Sequence, residues 1–112
     1  MNIDFHEFSN GEAPALEFIE SLSRETRVRI AEKIDKYVQY GFQYLMRGQI
    51  MKKLDTDLYE IIILRDYRFL GTIIQGNLYL VSGFRKKTQK TPRNQITYAL
   101  QKIKEIQLTQ TL

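Results

Sequence analysis

The hydrophobic pattern of the first twenty residues changes from alternation to helical spacing. Ile3 and Phe5 alternate with polar neighbours, which predicts a short strand at the start of the chain. Ser9-Asn10-Gly11 interrupts this alternation and supplies residues that favour a turn. A first helix is therefore predicted from Glu12 to Ser21.

A longer amphipathic segment follows. Ser23 is expected to cap a second helix that continues to Tyr40, since serine is a preferred residue at helix starts. Gly41 is expected to end this helix in a left-handed conformation. The apolar residues of the segment recur at helical spacing and form one face: Ile30, Ile34, Tyr37 and Val38.

The second half of the chain is dominated by strand-like runs. β-Branched and aromatic residues predict four strands, at Gln49–Leu54, Leu58–Leu64, Tyr67–Gln75 and Leu78–Phe84. The Gly76-Asn77 pair between the last two runs predicts a two-residue hairpin, with Gly76 at the first position of a type II′ turn.

A last amphipathic helix is expected to begin at Pro92, with Thr91 as its cap. The element order is thus β-α-α-β-β-β-β-α. It predicts an α+β fold in which the two N-terminal helices and the C-terminal helix pack on a small, mostly antiparallel sheet. The 112 residues are expected to form a single domain over residues 1–112.

Composition excludes several classes of function. The chain has no cysteine, which rules out disulfides and a thiol nucleophile and is typical of a reducing cytoplasm. One histidine and scattered carboxylates predict no metal site and no cofactor. We also expect no membrane segment and no signal peptide, because no long apolar run occurs and the N-terminus carries acids.

Charge is strongly segregated along the chain. Residues 67–104 contain no Asp or Glu, yet they carry eight basic side chains: Arg68, Arg85, Lys86, Lys87, Lys90, Arg93, Lys102 and Lys104. Aromatic residues are interleaved with them. A one-sided basic segment of this kind is typical of proteins that bind polyanions, nucleic acids foremost.

The predicted hairpin places two of these charges together. With Gly76-Asn77 as the loop, Arg68 lies directly opposite Arg85, where two guanidinium groups could clamp a phosphate. Alternatively, a bulge breaks the register, or one arginine pairs with Glu60 or Asp66 while the other is solvated. Arg65, in the preceding turn, and Lys86 and Lys87, after the last strand, are expected to add charge at the same end of the sheet.

Three stretches of the sequence resemble a known family. They are Leu58-Tyr59-Glu60, Tyr67-Arg68 and the run Gly83-Phe84-Arg85-Lys86-Lys87-Thr88-Gln89-Lys90-Thr91-Pro92, which precedes the last helix. Together they resemble the phage-derived HigB-like branch of the RelE/ParE toxin superfamily, and Glu17 to Leu22 and Lys53-Leu54 extend the likeness over nearly the whole chain. The resemblance implies the toxin of a type II toxin–antitoxin module.

Most such toxins cut mRNA without a metal, often on the ribosome, and a cognate antitoxin neutralises them. By resemblance, Arg68 and Arg85 would stabilise the transition state, and we also assign Lys87 to catalysis. The RNA or phosphate would be bound by the remaining basic residues at this end and on the neighbouring strand: Arg65, Lys53, Lys86 and Lys90. The expected partners are mRNA and an antitoxin protein, in the cytoplasm.

The sequence also departs from the family pattern. Ile62 stands where many members have an arginine, and the terminal part of the last strand lacks the aromatic or histidine that several relatives use. His6, Tyr67, Tyr79, Lys52, Lys53, Lys86 and Lys87 remain open as proton-transfer groups, so the general base is unassigned. Two alternatives follow: a ParE-like toxin that binds gyrase without cleaving RNA, and an inactive RNA or phosphate binder.

Overall fold

The computed structural model describes residues 1–87 and 89–110; Thr88, part of the motif behind the family resemblance, and residues 111–112 lie outside them. The described residues form five strands and four helices. In chain order they are β1 (Ile3–Phe5), α1 (Pro14–Glu20), α2 (Arg24–Tyr40), α3 (Phe42–Arg47), β2 (Met51–Asp55), β3 (Leu58–Ile63), β4 (Tyr67–Ile74), β5 (Asn77–Arg85) and α4 (Arg93–Gln110).

The strands form one sheet in the order β1-β5-β4-β3-β2. The β1 strand runs parallel to β5, whereas the other three pairs are antiparallel. Helices precede and follow the sheet-forming segment, so the predicted α+β fold with a mostly antiparallel sheet is confirmed.

Each face of the sheet carries its own apolar core. On one face, side chains of α1, α2 and α3 pack against the strands; Ile30, Leu45 and Phe69 are among the fully buried residues. On the other face, Ala99 and Ile103 of α4 pack against β3, β4 and β5. Burying one large apolar side chain stabilises a fold by about 1.5–3 kcal/mol, so both layers contribute to stability.

The ends of α2 show how the sequence sets local structure. The hydroxyl of Ser23 accepts a hydrogen bond from the backbone N–H of Thr26 at 3.2 Å, which confirms the predicted cap. Gly41 ends the helix with a φ of 86°, but its ψ of 165° differs from a left-handed helical cap. This conformation redirects the chain into α3, a short helix that the sequence pattern did not predict.

The start of α4 differs from the prediction. Pro92 occupies the capping position, since its carbonyl accepts hydrogen bonds from the N–H groups of Gln95 and Ile96. Thr91 is therefore not the cap. Its hydroxyl instead donates a hydrogen bond to the carboxylate of Glu60 on β3.

The register of the β4–β5 hairpin also differs from the prediction. Gln75 and Gly76, with φ angles of 51° and 80°, form the two-residue turn, so Ile74 is opposite Asn77. Positive φ at both central positions is the property of a type I′ turn rather than of the expected type II′ turn. Farther along the hairpin, Gly71 pairs with Leu80 and Leu70 with Ser82, so β5 carries one extra residue in a bulge.

The shifted register separates the two arginines. Arg68 lies opposite Phe84, and Arg85 lies opposite Tyr67. Because successive side chains of a strand point to opposite faces, Arg68 emerges on the α4 face and Arg85 on the face of α1 and α2. The predicted Arg68–Arg85 clamp is therefore wrong, and the bulge that was considered as an alternative is present.

Candidate functional site

A shallow, open depression lies at the end of the sheet where β3 turns into β4 and β5 ends. We call it the basic depression; its volume is about 540 Å³, and it is lined by Arg65, Asp66, Arg68, Lys86, Lys87 and Gln89. The backbone N–H of Lys86 donates to the carbonyl of Asp66 at 2.8 Å, which ties the segment after β5 to this turn. Four cationic side chains thus surround a single acid.

The β3–β4 turn is conformationally unusual. Leu64 and Arg65 have φ angles of 51° and 67°, a combination that type I′ turns usually give to Asn and Gly. Non-glycine residues in this region cost about 1–2 kcal/mol each. The turn directs the carbonyl of Arg65 to the guanidinium of Arg68, whose Nη1 donates to it at 2.5 Å.

Arg68 is held beneath the basic depression rather than exposed within it. Only 11% of its side chain is accessible, and its Nε lies 3.9 Å from Oε1 of Glu60, which is 2% exposed. Nη1 also donates to the carbonyl of Tyr67 at 3.2 Å. With Thr91 donating to the second carboxylate oxygen, Glu60 connects β3, β4 and the segment before α4.

Arg85 has a different environment on the opposite face. Its guanidinium lies over the ring of Tyr67, 5.9 Å from the centroid, and Nη2 is 3.8 Å from Oδ2 of Asp66. The side chains of Arg85 and Asp66 are 62% and 50% exposed. Each arginine is thus near its own acid, whereas the alternative interpretation of the sequence paired only one arginine with Glu60 or Asp66 and left the other solvated.

Of the other residues predicted for the site, some line the basic depression and others do not. Lys86 and Lys87 line the basic depression together with Arg65. Lys53 does not line it: on β2 it lies opposite Tyr59, on the face away from Glu60 and Arg68. Lys90 is exposed in the segment before α4, outside the lining of this depression.

Sequence reasoning considered Glu60 only as a possible partner of one arginine and missed the contact between Glu60 and Thr91. The available signal was an acid in the middle of an otherwise apolar strand, Leu58–Ile63. A carboxylate that folding removes from water requires a cation or hydrogen-bond donors nearby. The sequence shows that Glu60 needs partners, but only the register identifies them as Arg68 and Thr91.

The single histidine lies elsewhere in the molecule. The backbone N–H of His6 donates to the backbone carbonyl of Leu80 on β5. Leu80 is about 15 Å from Arg85 along this strand at the usual rise per residue. Its ring packs edge-to-face on Phe8 and Tyr79, with centroids 4.5 and 6.0 Å away. Burial lowers the pKa of His6 below its ordinary value. His6 therefore does not serve the basic depression.

The described residues also bear on metal binding and on membrane crossing. Within residues 1–87 and 89–110, no group of three or more His, Cys, Asp or Glu side chains is placed to bind a metal ion. Over the same residues, none of the helices combines the length and the apolar character that crossing a membrane requires.

Comparison with known proteins identifies a family. A family profile described as "Phage derived protein Gp49-like (DUF891)" matches residues 17–104. This match includes α2, α3, strands β2 to β5, the start of α4 and all residues lining the basic depression. Curated proteins give no significant match. The chain therefore belongs to the Gp49-like family of phage-derived proteins, a toxin-like family of the RelE superfamily.

Proposed function

We propose that this protein is the toxin of a type II toxin–antitoxin module and that it cleaves mRNA without a metal, in association with the ribosome. Membership of a toxin-like family supports the toxin role. The proposed substrate places its action in the cytoplasm. A cognate antitoxin is the expected partner of such a toxin, and an acidic or amphipathic helix would match the basic surface.

The basic depression is the observation that carries the proposal. Arg65, Lys86 and Lys87 line it, and Asp66 is the only acid among the described residues of its lining. It is open and shallow, so an RNA backbone can reach these cations without a rearrangement of the fold. Phosphate contacts supply most of the affinity of a nucleic-acid complex, and clustered Lys and Arg side chains are what such contacts require.

The proposed reaction uses the RNA's own 2′-hydroxyl. Its oxygen forms a bond to the adjacent phosphorus while the bond from phosphorus to the 5′-oxygen breaks, which yields a 2′,3′-cyclic phosphate and a 5′-hydroxyl. The proton of the 2′-hydroxyl passes to a solvent water molecule, since no side chain is assigned as the base, and another proton reaches the 5′-oxygen. We propose that Lys87 donates the second proton and that Arg65 and Lys86 bind the phosphate.

The two arginines then have unequal roles in the proposal. Arg68 lies beneath the basic depression, and its positive charge, partly offset by Glu60, would act on the developing phosphorane from below. Arg85 would contact RNA from the flank, since it emerges on the opposite face. Lys53 and Lys90 remain predictions as more distant RNA ligands.

A second candidate function is RNA binding without cleavage. Arg68 is engaged by Glu60 and by two backbone carbonyls, which limits its freedom to follow a reacting phosphate. In addition, neither histidine nor tyrosine occurs among the described residues that line the basic depression. The protein would then occupy RNA or ribosomes without cutting the transcript.

Induced expression in bacteria with mapping of transcript 5′ ends tests both candidates. The test variant is Arg65→Asn/Lys86→Gln/Lys87→Gln, because Asn tolerates the positive φ at position 65. The matched control removes three exposed charges elsewhere, as Arg24→Gln/Arg47→Gln/Lys104→Gln.

Wild type and control should produce new 5′-hydroxyl ends within translated codons, the ends that attack by the 2′-hydroxyl leaves. The test variant should cut at least about 100-fold more slowly. Equal cleavage by the test variant would refute the basic depression as the site. Salt-dependent RNA binding without any cleavage by wild type would favour the second candidate.

A further inference from the structure

The exposed face of α2 carries a second basic groove. Arg29, Lys33 and Lys36 line a shallow groove of about 170 Å³, and the other described residues of its lining are Leu64 and the acid Glu32. The three cations are three or four residues apart and therefore lie on one side of the helix. A solvated helix face is the ordinary explanation of such a pattern, but two further features of this face point to a ligand.

The first feature is continuity with the basic depression. Leu64 lines the groove on α2, and the next residue, Arg65, lines the depression. The hydroxyl of Tyr37 donates to the carbonyl of Ile62 at 2.9 Å and fixes α2 over the end of β3. The two basic surfaces thus meet at the β3–β4 turn.

The second feature is an exposed aromatic pair at the end of the same helix face. Tyr40 follows Lys36 by four residues, so both lie on one side of α2. Tyr40 and Tyr44 are 48% and 55% exposed, and the centroids of their rings are 4.6 Å apart with the planes inclined at 41°. Aromatic rings at the end of a cationic track are what proteins use to stack the bases of single-stranded nucleic acids.

We propose that single-stranded RNA leaves the basic depression over the β3–β4 turn, follows Arg29, Lys33 and Lys36, and stacks its bases on Tyr40 and Tyr44. This inference rests on the proposed function, because it extends the same RNA site. The α2 segment from Arg29 to Tyr40 is about 16 Å long at the usual helical rise. The cations and the aromatic rings contribute separately to RNA affinity. The contribution of the cations depends on salt concentration, whereas that of the stacked rings does not.

The experiment measures binding of an unstructured, 2′-O-methylated RNA of about 12 nucleotides, which cannot be cleaved by its own 2′-hydroxyl. Two variants are compared with wild type at several salt concentrations: Arg29→Gln/Lys33→Gln/Lys36→Gln and Tyr40→Leu/Tyr44→Leu. Tyr98→Leu is the matched control, since Tyr98 is an exposed tyrosine on α4 rather than α2.

The charge variant should reduce the slope of log K against log salt by about 2, at about 0.7 for each lost phosphate contact. The tyrosine variant should bind about tenfold more weakly with an unchanged slope, and the control should bind as wild type does. Unchanged binding by both α2 variants, with wild type still binding, would overturn this inference alone. A wild type that binds no RNA would refute the proposed function itself.

Discussion

Two ion pairs of nearly equal length but different burial give a sharp test of the structure. The N–O separation is 3.9 Å in the Arg68–Glu60 pair and 3.8 Å in the Arg85–Asp66 pair. The side chains of the first pair are 11% and 2% exposed, whereas those of the second pair are 62% and 50% exposed. We expect Arg68→Met to destabilise the fold far more than Arg85→Met. Burial is the main difference between the two pairs, and the buried groups also have the hydrogen bonds that burial requires, since Arg68 donates to two backbone carbonyls and Glu60 accepts from Thr91.

The magnitudes follow from the geometry. At an effective dielectric constant of about 20, charges 3.9 Å apart attract by about 4 kcal/mol, and loss of one partner leaves the Glu60 carboxylate buried without its cation. Breaking a buried pair in this way typically costs about 3–5 kcal/mol, a large part of a domain's total of about 5–15 kcal/mol. The exposed Arg85 pair is worth at most about 1 kcal/mol.

Urea denaturation of the two variants measures the difference. With an m-value of about 2 kcal/mol/M, Arg68→Met should unfold at a urea concentration about 1.5–2.5 M lower than wild type, and Arg85→Met within about 0.5 M of it. The double variant Glu60→Leu/Arg68→Met should recover much of the loss, because it leaves no buried charge. Equal midpoints for the two single variants would refute the argument from burial.

Three further predictions concern the backbone, the histidine and a helix cap. Gly71→Ala should lower the melting temperature severely, since an added Cβ would lie 2.2 Å from the carbonyl oxygen of Tyr79. Gly76→Ala should lower it less, because a Cβ there has no neighbour within 4 Å and only the φ of 80° is unfavourable. Because burial holds the pKa of His6 below 6.5, the unfolded chain binds the proton more tightly and stability should fall as pH drops below 6.5. NMR titration should give a midpoint below 6.5, and His6→Phe should lose less melting temperature than wild type on acidification. Ser23→Ala should cost about 1 kcal/mol in chemical denaturation, because the N–H of Thr26 loses its acceptor.

The sequence predicted the elements whose hydrophobic period extends over many residues. The α2 helix, the strands β3 to β5 and α4 all show this property, and their order led directly to the α+β fold. The α3 helix has only six residues, too few for a period to stand out, and it follows a glycine that signals a helix end. Short elements of this kind depend on tertiary packing, here through the buried Leu45.

The site was harder to predict because it depends on register. Shifting the turn to Gln75 and Gly76 and inserting one residue in β5 moves Arg68 and Arg85 to opposite faces, although both remain at the expected end of the sheet. Local sequence does not determine whether Gln75 accepts a positive φ, since that choice depends on the packing of both strands. Proximity of the basic residues could thus be predicted, but not their individual directions.

The two outer strands of the sheet bear on how the protein behaves at high concentration. The β1 edge has three residues, and the β2 edge exposes Lys52 and Lys53 next to an irregular register between Lys53 and Asp55. Short length, charge and irregular pairing each hinder another chain from adding a strand to an unpaired edge. The sheet is thereby protected against edge-to-edge aggregation. This protection explains a lysine at position 53 whether or not Lys53 contacts a nucleic acid.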